Sequence, residues 1–398
     1  MSHTFDTTDL AQCPFMPVFG APALSMERGQ GTELWDTDGK RYLDFLSGIA
    51  VTSLGHANPV IADAISRQAS TLLHVSNFFA NPQATAAAVK VNELLQEATG
   101  HPGQLFFTNS GAESNECALK LARKWGGRGR HTVVSAFGSF HGRTLATLAA
   151  TGQPSKHEPF APMPDGFKHV AWGDLDAVRT AVDPSVAAVI IEPIQGEGGV
   201  NPAPAGYLQG IRDLCDEVGA LMIVDEIQTG FARTGRWFGF EIDGVRPDVV
   251  TLAKAMGNGM PVGACWARTD VAAVFEPGDH GSTYSGTALA TAAVSAVVDE
   301  MRRLDAPAMA TTKGARLTDL LLSLPQVESV RGAGLILGAQ LADGIDAPTV
   351  YRRLIETGLI CNAVNASTLR LLPPLTVRDD ELVEAVGLIG DALAEVAR

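Results

Sequence analysis

Two residues at the ends of apolar runs open the case for chemistry. Leu221-Met222-Ile223-Val224-Asp225-Glu226 reads as a buried strand that delivers a carboxylate at its end. Lys254 stands 29 residues beyond Asp225, behind a second run, Val249-Val250-Thr251-Leu252-Ala253. An acid and an amine on adjacent strand ends can flank one planar ligand. Desolvation lowers the pKa of a lysine and makes it a nucleophile toward aldehydes, while a fixed carboxylate keeps a pyridine nitrogen protonated so that the ring withdraws electrons. A solvated loop lysine is the commoner use of the residue. Here its neighbours, Thr-Leu-Ala before and Ala-Met-Gly-Asn-Gly after, are small and mostly apolar, as expected where a ligand presses on the backbone.

A third feature adds an anion site. Phe107-Thr108-Asn109-Ser110-Gly111-Ala112-Glu113 places a strand, a turn of small residues and the start of a helical pattern in succession. Small residues let the backbone approach a phosphate, and the unpaired N–H groups of a first helical turn point at it. Alone, the segment would more readily be an ordinary capped helix start. With Asp225 and Lys254 it suits pyridoxal phosphate.

The elements that must position these groups follow from periodicity. Between about residues 70 and 290, short apolar runs alternate with helical patterns, the signature of βα units in a mainly parallel sheet. Strands are predicted at 105–107, 131–136, 188–191, 221–224, 249–253 and 263–266. Open parallel sheets bind ligands beyond the carboxyl ends of their strands, which makes Glu192, Asp225 and Lys254 suspects by position. Residues 291–398 read as a smaller α+β domain, with helices at 287–303, 307–322, 348–357 and 379–397 and strands at 327–332, 335–340 and 369–372. Residues 1–69 form an N-terminal segment, in which 31–48 resembles two strands around an Asp-Gly turn that could pair with the smaller domain. The Pro-rich stretch 152–166 is expected to be a surface loop.

With 398 residues, 46% hydrophobic and 19% charged, the chain has the apolar surface of a folded enzyme and the length for a large domain and a companion. Its 30 basic and 44 acidic residues give a net charge of -14, which disfavours nucleic acid or an anionic membrane as partner and leaves a small molecule. Five scattered cysteines lack metal-type spacing and read as reduced thiols. Neither an export signal at the N-terminus nor an apolar run of spanning length is evident, so a cytoplasmic location is expected.

Eight motifs in order resemble the class III, fold-type-I aminotransferases, and among them the acetylornithine aminotransferases. They are LWDTDGKRYLDFLSGIAVTSLGH (34–56), NSGAESNECALKLAR (109–123), FHGRTLATLAATGQP (140–154), EPIQGEGGV (192–200), VDEIQTGFARTG (224–235), LAKAMGNGMPVGA (252–264), HGSTYSG (280–286) and LRLLPPL (369–375). The resemblance implies that Ser110, Gly111 and Ala112 hold the cofactor phosphate, Phe140 stacks on the pyridine ring, Asp225 pairs with the ring nitrogen, Gln228 contacts the ring hydroxyl side and Lys254 forms the imine. Without it, Phe140 would be a core aromatic, and Arg370 and Glu197 plain surface charges. It further implies that Arg370 takes the α-carboxylate of glutamate or 2-oxoglutarate, that Arg143 takes the carboxylate remote from the reacting carbon, and that Glu197 pairs with Arg370 when the donor has no carboxylate there. Ser282 and Thr283 are expected to reach the partner's substrate and cofactor phosphate in a homodimer with shared sites.

The sequence departs from the family pattern in two places. Ser285-Gly286-Thr287-Ala288 stands where relatives have Gly-Gly-Asn-Pro, and Phe19-Gly20-Ala21 stands where many have Tyr-Gly-Arg. The expected activity is transfer of the δ-amino group of N2-acetylornithine to 2-oxoglutarate, in arginine biosynthesis. The rivals are another ω-aminotransferase acting on ornithine, 4-aminobutyrate or a succinylated diamine, and a non-catalytic homologue that only binds. A nucleotide-binding oxidoreductase is disfavoured, since no G-x-G-x-x-G follows a strand.

Overall fold

The computed structural model describes residues 15–20 and 22–396, so Cys13 and Ala21 lie outside the described residues. Three short strands come first, β1 (Met26–Gln30), β2 (Glu33–Asp36) and β3 (Arg41–Asp44), joined as an antiparallel ribbon. The Asp-Gly turn lies between β2 and β3. Asp36 Oδ1 accepts the backbone N–H groups of Asp38 at 3.1 Å and Lys40 at 2.8 Å, and Gly39 takes a φ of 81° that costs glycine no Cβ clash.

The central sheet is built from β4 (Gly103–Thr108), β5 (Thr132–Ala136), β6 (Phe167–Val170) and β7 (Val186–Ile191), followed, after a small hairpin of β8 (Ile194–Gln195) and β9 (Asn201–Pro202), by β10 (Leu221–Asp225), β11 (Val249–Leu252) and β12 (Gly263–Arg268). Its order is β4-β12-β11-β10-β7-β5-β6, parallel throughout except for β12, which is antiparallel to both neighbours. Alternation along the strands divides the core between its faces. Leu221 and Ile223 pack with Cys117, Leu121 and Ile190 on one side, while Met222 and Val224 join the larger cluster on the other. The fold is therefore α/β with a mainly parallel mixed sheet covered by helices, as the periodicity predicts.

A second, four-stranded sheet is wholly antiparallel. It comprises β13 (Val327–Ala333), β14 (Ile336–Leu341), β16 (Asn362–Asn365) and β17 (Thr368–Leu371), in the order β13-β14-β17-β16. The intervening β15 (Leu359–Ile360) leaves that sheet and pairs in parallel with β3, so the N-terminal ribbon is joined to the C-terminal third by backbone hydrogen bonds. The Pro-rich stretch is not a plain loop. Pro154 starts a helical turn, Pro154–His157, continued by a 3-10 turn at Glu158–Phe160, since proline is preorganised for a first helical position.

One buried cation holds the pieces in register. Arg233 is fully buried, and its guanidinium donates to Leu335 O at 3.0 Å, Pro373 O at 2.5 Å and Ser53 Oγ at 2.7 Å. Among the described residues it hydrogen-bonds to no carboxylate, so its charge is solvated by carbonyl and hydroxyl dipoles from the N-terminal segment and the C-terminal third. Truncation to alanine orphans three buried acceptors and opens a cavity, which should cost on the order of 3 kcal/mol of stability. Urea denaturation of Arg233→Ala tests this; a loss under about 1 kcal/mol would mean that water replaces the guanidinium without penalty.

Candidate active site

Strand ends bring the chemistry together. β10 and β11 are adjacent and parallel, with Asp225 closing the first and Lys254 just beyond the second. Both line a cavity of about 380 Å³ that also takes in Ser110, Phe140, Arg143, Glu197 and Gln228. Gly263, which opens β12 at the same edge, leaves no space for a side chain, since a Cβ there would lie 2.6 Å from Leu252 O and from Ser114 Oγ.

At one end of the cavity the helix Gly111–Gly126 begins. Ser110 Oγ caps it by accepting Glu113 N at 3.2 Å, while Glu113 Oε2 accepts the backbone and side-chain N–H groups of Asn109, both at 2.8 Å. Among the described residues the N–H groups of Gly111 and Ala112 have no partner, the arrangement that an anion site would use. Gly111 sits close under Ile227, whose Cδ1 would lie 2.7 Å from a Cβ there and would have to move.

Asp225 is only 4% exposed. Its Oδ2 receives Asn115 Nδ2 and His141 Nδ1, each at 2.8 Å, and its Oδ1 receives Ile227 N at 3.1 Å. Asn115 Nδ2 also donates to His141 O at 2.7 Å, and Thr151 Oγ1 receives His141 N at 2.9 Å. Neither Asn115 nor His141 is among the residues the sequence motifs assign to the site. His141 sits inside the FHGR motif, between two residues that were recognised, but nothing in its type or spacing announces a contact made only in the folded chain.

Lys254 adopts a φ of 48°, a left-handed conformation costly for a residue with a Cβ and typical of functional sites. Burial pushes its ammonium below the ordinary lysine range, with Arg370 acting in the same sense and Glu197, Asp225 and Glu192 opposing. Among the described residues its Nζ has no hydrogen-bond partner. Glu192, the third suspect by position, accepts Phe140 N at 3.3 Å; burial and then the charge of Asp225 raise its carboxyl well above the usual range.

The opposite wall carries an ion pair. Arg370, on β17, is fully buried and donates to Glu197 Oε1 at 2.5 Å and to Asn362 Oδ1 at 3.0 Å, while its Nη2 has no partner. Burial alone would raise the Glu197 carboxyl, but Arg370 overrides this and holds it below the usual range. Gln228 bridges the pair, donating to Glu197 at 3.4 Å and accepting from Arg370 at 3.4 Å. Arg143 is exposed at the mouth, its Cζ 5.5 Å from the Phe140 ring centroid. Lys156, carried back by the turn at 154–157, places its Nζ 5.8 Å from the same ring. Ser282 and Thr283 do not line this cavity. They line a second one of about 570 Å³ with His74, Asn77 and His280, linked to the first through the 3.2 Å hydrogen bond from Asn109 Nδ2 to Ser282 Oγ.

These groups fit pyridoxal phosphate on structural grounds: a desolvated amine without a partner, a buried carboxylate on the neighbouring strand, free helix-start N–H groups, and a buried guanidinium with one nitrogen unpaired. The chain belongs to the class III aminotransferases, whose family model, Aminotransferase class-III, matches residues 18–393. Its cofactor is pyridoxal 5'-phosphate. Within the class it is 46% identical over 387 residues to an acetylornithine aminotransferase of Corynebacterium efficiens, covering 95% of this chain and 94% of that one. Among solved structures, ornithine aminotransferase from Toxoplasma gondii superposes with a TM-score of 0.90 at 32% identity, covering 96% of this chain and 93% of that one. N-acetylornithine aminotransferase from Stenotrophomonas maltophilia gives 0.82 at 32% identity, covering 94% and 97%.

His141→Ala removes a donor from the buried Asp225 carboxylate and should weaken cofactor binding roughly tenfold or more, in line with other residues that orient a liganding group. Reconstitution of the apoenzyme followed by visible absorbance checks this. Unchanged affinity would mean that Asn115 and the Ile227 N–H hold Asp225 unaided.

Proposed function

We propose that this aminotransferase moves the δ-amino group of N2-acetylornithine to 2-oxoglutarate, giving N-acetylglutamate 5-semialdehyde and glutamate, in the cytoplasm and in the service of arginine biosynthesis. The observation that carries the reading is the clasp of Glu197 on the buried Arg370, with Arg143 exposed and free at the other end of the cavity. An ω-amine presents no carboxylate beside the reacting carbon, so Glu197 neutralises Arg370; a substrate with an α-carboxylate displaces Glu197 and takes the guanidinium bidentately. Arg143 then receives the carboxylate that both acetylornithine and 2-oxoglutarate carry at the remote end. The curated acetylornithine aminotransferases that the chain resembles over nearly its whole length support the same substrate.

When bound, pyridoxal 5'-phosphate supplies an aldehyde for amine capture and a ring that accepts electrons. Around it, Ser110 and the N–H groups of Gly111 and Ala112 hold phosphate, and Phe140 covers the ring. Asp225, held in place by hydrogen bonds from Asn115, His141 and Ile227 N, would keep the ring nitrogen protonated. Lys254 Nζ, which burial disposes to lose its proton, takes the proton from the amino-bearing carbon and returns it as general acid.

We place the protein as a homodimer. Leu73, Phe78, Phe79 and Tyr284 are exposed apolar residues in the segments that carry the Ser282–Thr283 cavity, and an apolar patch there suits a partner. Division into 1–69, 70–290 and 291–398 accords with the separate sheets, with β15 joining the first part to the last.

A panel of ω-amines with 2-oxoglutarate as acceptor, ranked by kcat/KM, tests the substrate: a preference for ornithine over acetylornithine overturns it. Lys254→Ala should abolish turnover. Arg143→Ala should reduce kcat/KM for acetylornithine by an amount equivalent to about 2–5 kcal/mol, whereas a solvated arginine would contribute little; near-normal use removes Arg143 from the site. Subunit mixing tests the shared site. Lys254→Ala and Thr283→Asp subunits, each inactive alone, should regain activity when refolded together, because one site of each mixed dimer carries neither defect. Mixed dimers that remain inactive would confine Thr283 to its own subunit.

A further inference from the structure

At the opposite edge of the central sheet from Lys254, where β10 and β11 begin and β12 ends, three arginines converge on a cavity of about 250 Å³. This is unexpected in a chain of net charge -14. Arg212 comes from the helix Tyr207–Val218, Arg246 from the segment before β11, and Arg268 from the end of β12, with His101 lining the cavity beside them. Two carboxylates also line it. Asp248 is buried and already committed, accepting Met222 N at 2.7 Å and Arg212 Nη1 at 2.8 Å, with Arg268 Nε 3.2 Å away. Asp216 is exposed and pairs with Arg212 Nη2 at 2.7 Å, and Asp270, also exposed, lies 3.1 Å from Arg268.

The carboxylates do not exhaust the donors. Among the described residues, the Arg246 guanidinium has no hydrogen bond or ion pair, and it is placed against the left-handed Gly100, where a Cβ would lie 3.4 Å from its Cζ. Arg212 is 8% exposed, yet its Nε is buried without a partner, whereas Arg268 Nε already faces Asp248 and Asp270 at 3.1–3.2 Å. The unpaired Arg246 guanidinium at the cavity wall, beside two further arginines, is a donor set that an acceptor with several oxygens would satisfy. Guanidinium forks match phosphate oxygens bidentately, and the cavity has space for a short organic body as well.

We propose that this cavity is a binding site for a small phosphate dianion, either inorganic phosphate or a phosphomonoester, held by Arg246 together with Arg212 and Arg268. It lies across the sheet from the reacting groups and is distinct from the cofactor phosphate site at Ser110–Ala112, which is filled in the holoenzyme.

The test uses holoenzyme in phosphate-free buffer, titrated calorimetrically with inorganic phosphate and, separately, with glycerol 3-phosphate, against sodium chloride of equal ionic strength. The parent should show saturable binding of at least one probe. Tighter binding of glycerol 3-phosphate would assign the site to phosphomonoesters, and equal or weaker binding to free phosphate. Arg246→Ala, altered at an exposed loop position, should weaken that binding at least about tenfold, the scale of losing one charge-assisted fork, with kcat for transamination unchanged. Arg246→Gln is the second variant should the alanine protein fold poorly. No saturable binding by the parent beyond the salt control, or equal affinity in the parent and the variants, overturns the proposal.

Discussion

A buried carboxylate must find its hydrogen-bond partners within the protein, and the rest of the site is arranged around that demand. Removed from solvent, Asp225 would be left with unsatisfied oxygens, which is costly for a buried polar group. Three donors prevent this, and each belongs to a different segment: Asn115 to the helix that begins at the anion site, His141 to the loop after β5, and Ile227 N to the turn after β10 itself. Satisfying one charge therefore fixes three segments relative to one another. The loop after β5 carries Phe140 and Arg143, so these two residues of the cavity inherit their placement from the same carboxylate.

The far wall meets the same difficulty with the opposite sign. Arg370 is as buried as any residue in the chain, and its charge is matched by Glu197 from the β8–β9 turn and steadied by Asn362 on β16. Glu197 is about a third exposed while Arg370 is not, so the acid is the partner free to move. On the proposed function that asymmetry is what lets one pocket take two substrates. The arginine remains where it is, and either Glu197 or a substrate carboxylate completes it. Arg233 ties the segments flanking β14 and β17 to Ser53 through Leu335 O and Pro373 O, and so helps to hold in place the sheet that carries Arg370.

Much of this was legible in the sequence because strand ends and turn chemistry are local. The runs ending at Asp225 and before Lys254, and the small-residue turn at 109–112, were found where the structure has them. What could not be read is what depends on contacts distant in sequence. His141 and Asn115 meet Asp225 across 84 and 110 residues. β15, of two residues, has its meaning only through β3, and β16 carries Asn residues at both ends that hide a strand. The stretch 152–166 differs from the expected loop for another reason: its prolines signal a break, but Pro154 stands where a proline begins a helical turn, and the turn returns Lys156 to the cavity mouth. Thr283 shows the remaining limit, since a residue assigned through a neighbouring subunit lies outside the cavity of its own chain.

The departure at 285–288 shows how such differences are absorbed. Where relatives have Gly-Gly-Asn-Pro, the helix Ala288–Arg303 would be opened by an Asn cap and a proline at its first position, both ordinary start signals. Here Thr287 is the cap, its Oγ1 accepting Ala290 N at 3.3 Å, and Ala288 occupies the first helical position, where any good helix former is accepted. Gly286 keeps its left-handed φ of 64°, the one position of the four where a Cβ would be strained, and glycine stands there in both patterns. The serine that replaces the first glycine makes a bond glycine cannot: Ser285 Oγ donates to Phe107 O at 2.7 Å, at the end of β4 and two residues before Asn109. The loop bearing Ser282 and Thr283 is thus anchored at its base to the strand that leads into the anion site. The substitution exchanges one set of helix-start signals for another and adds a tether, leaving the course of the loop determined by Gly286.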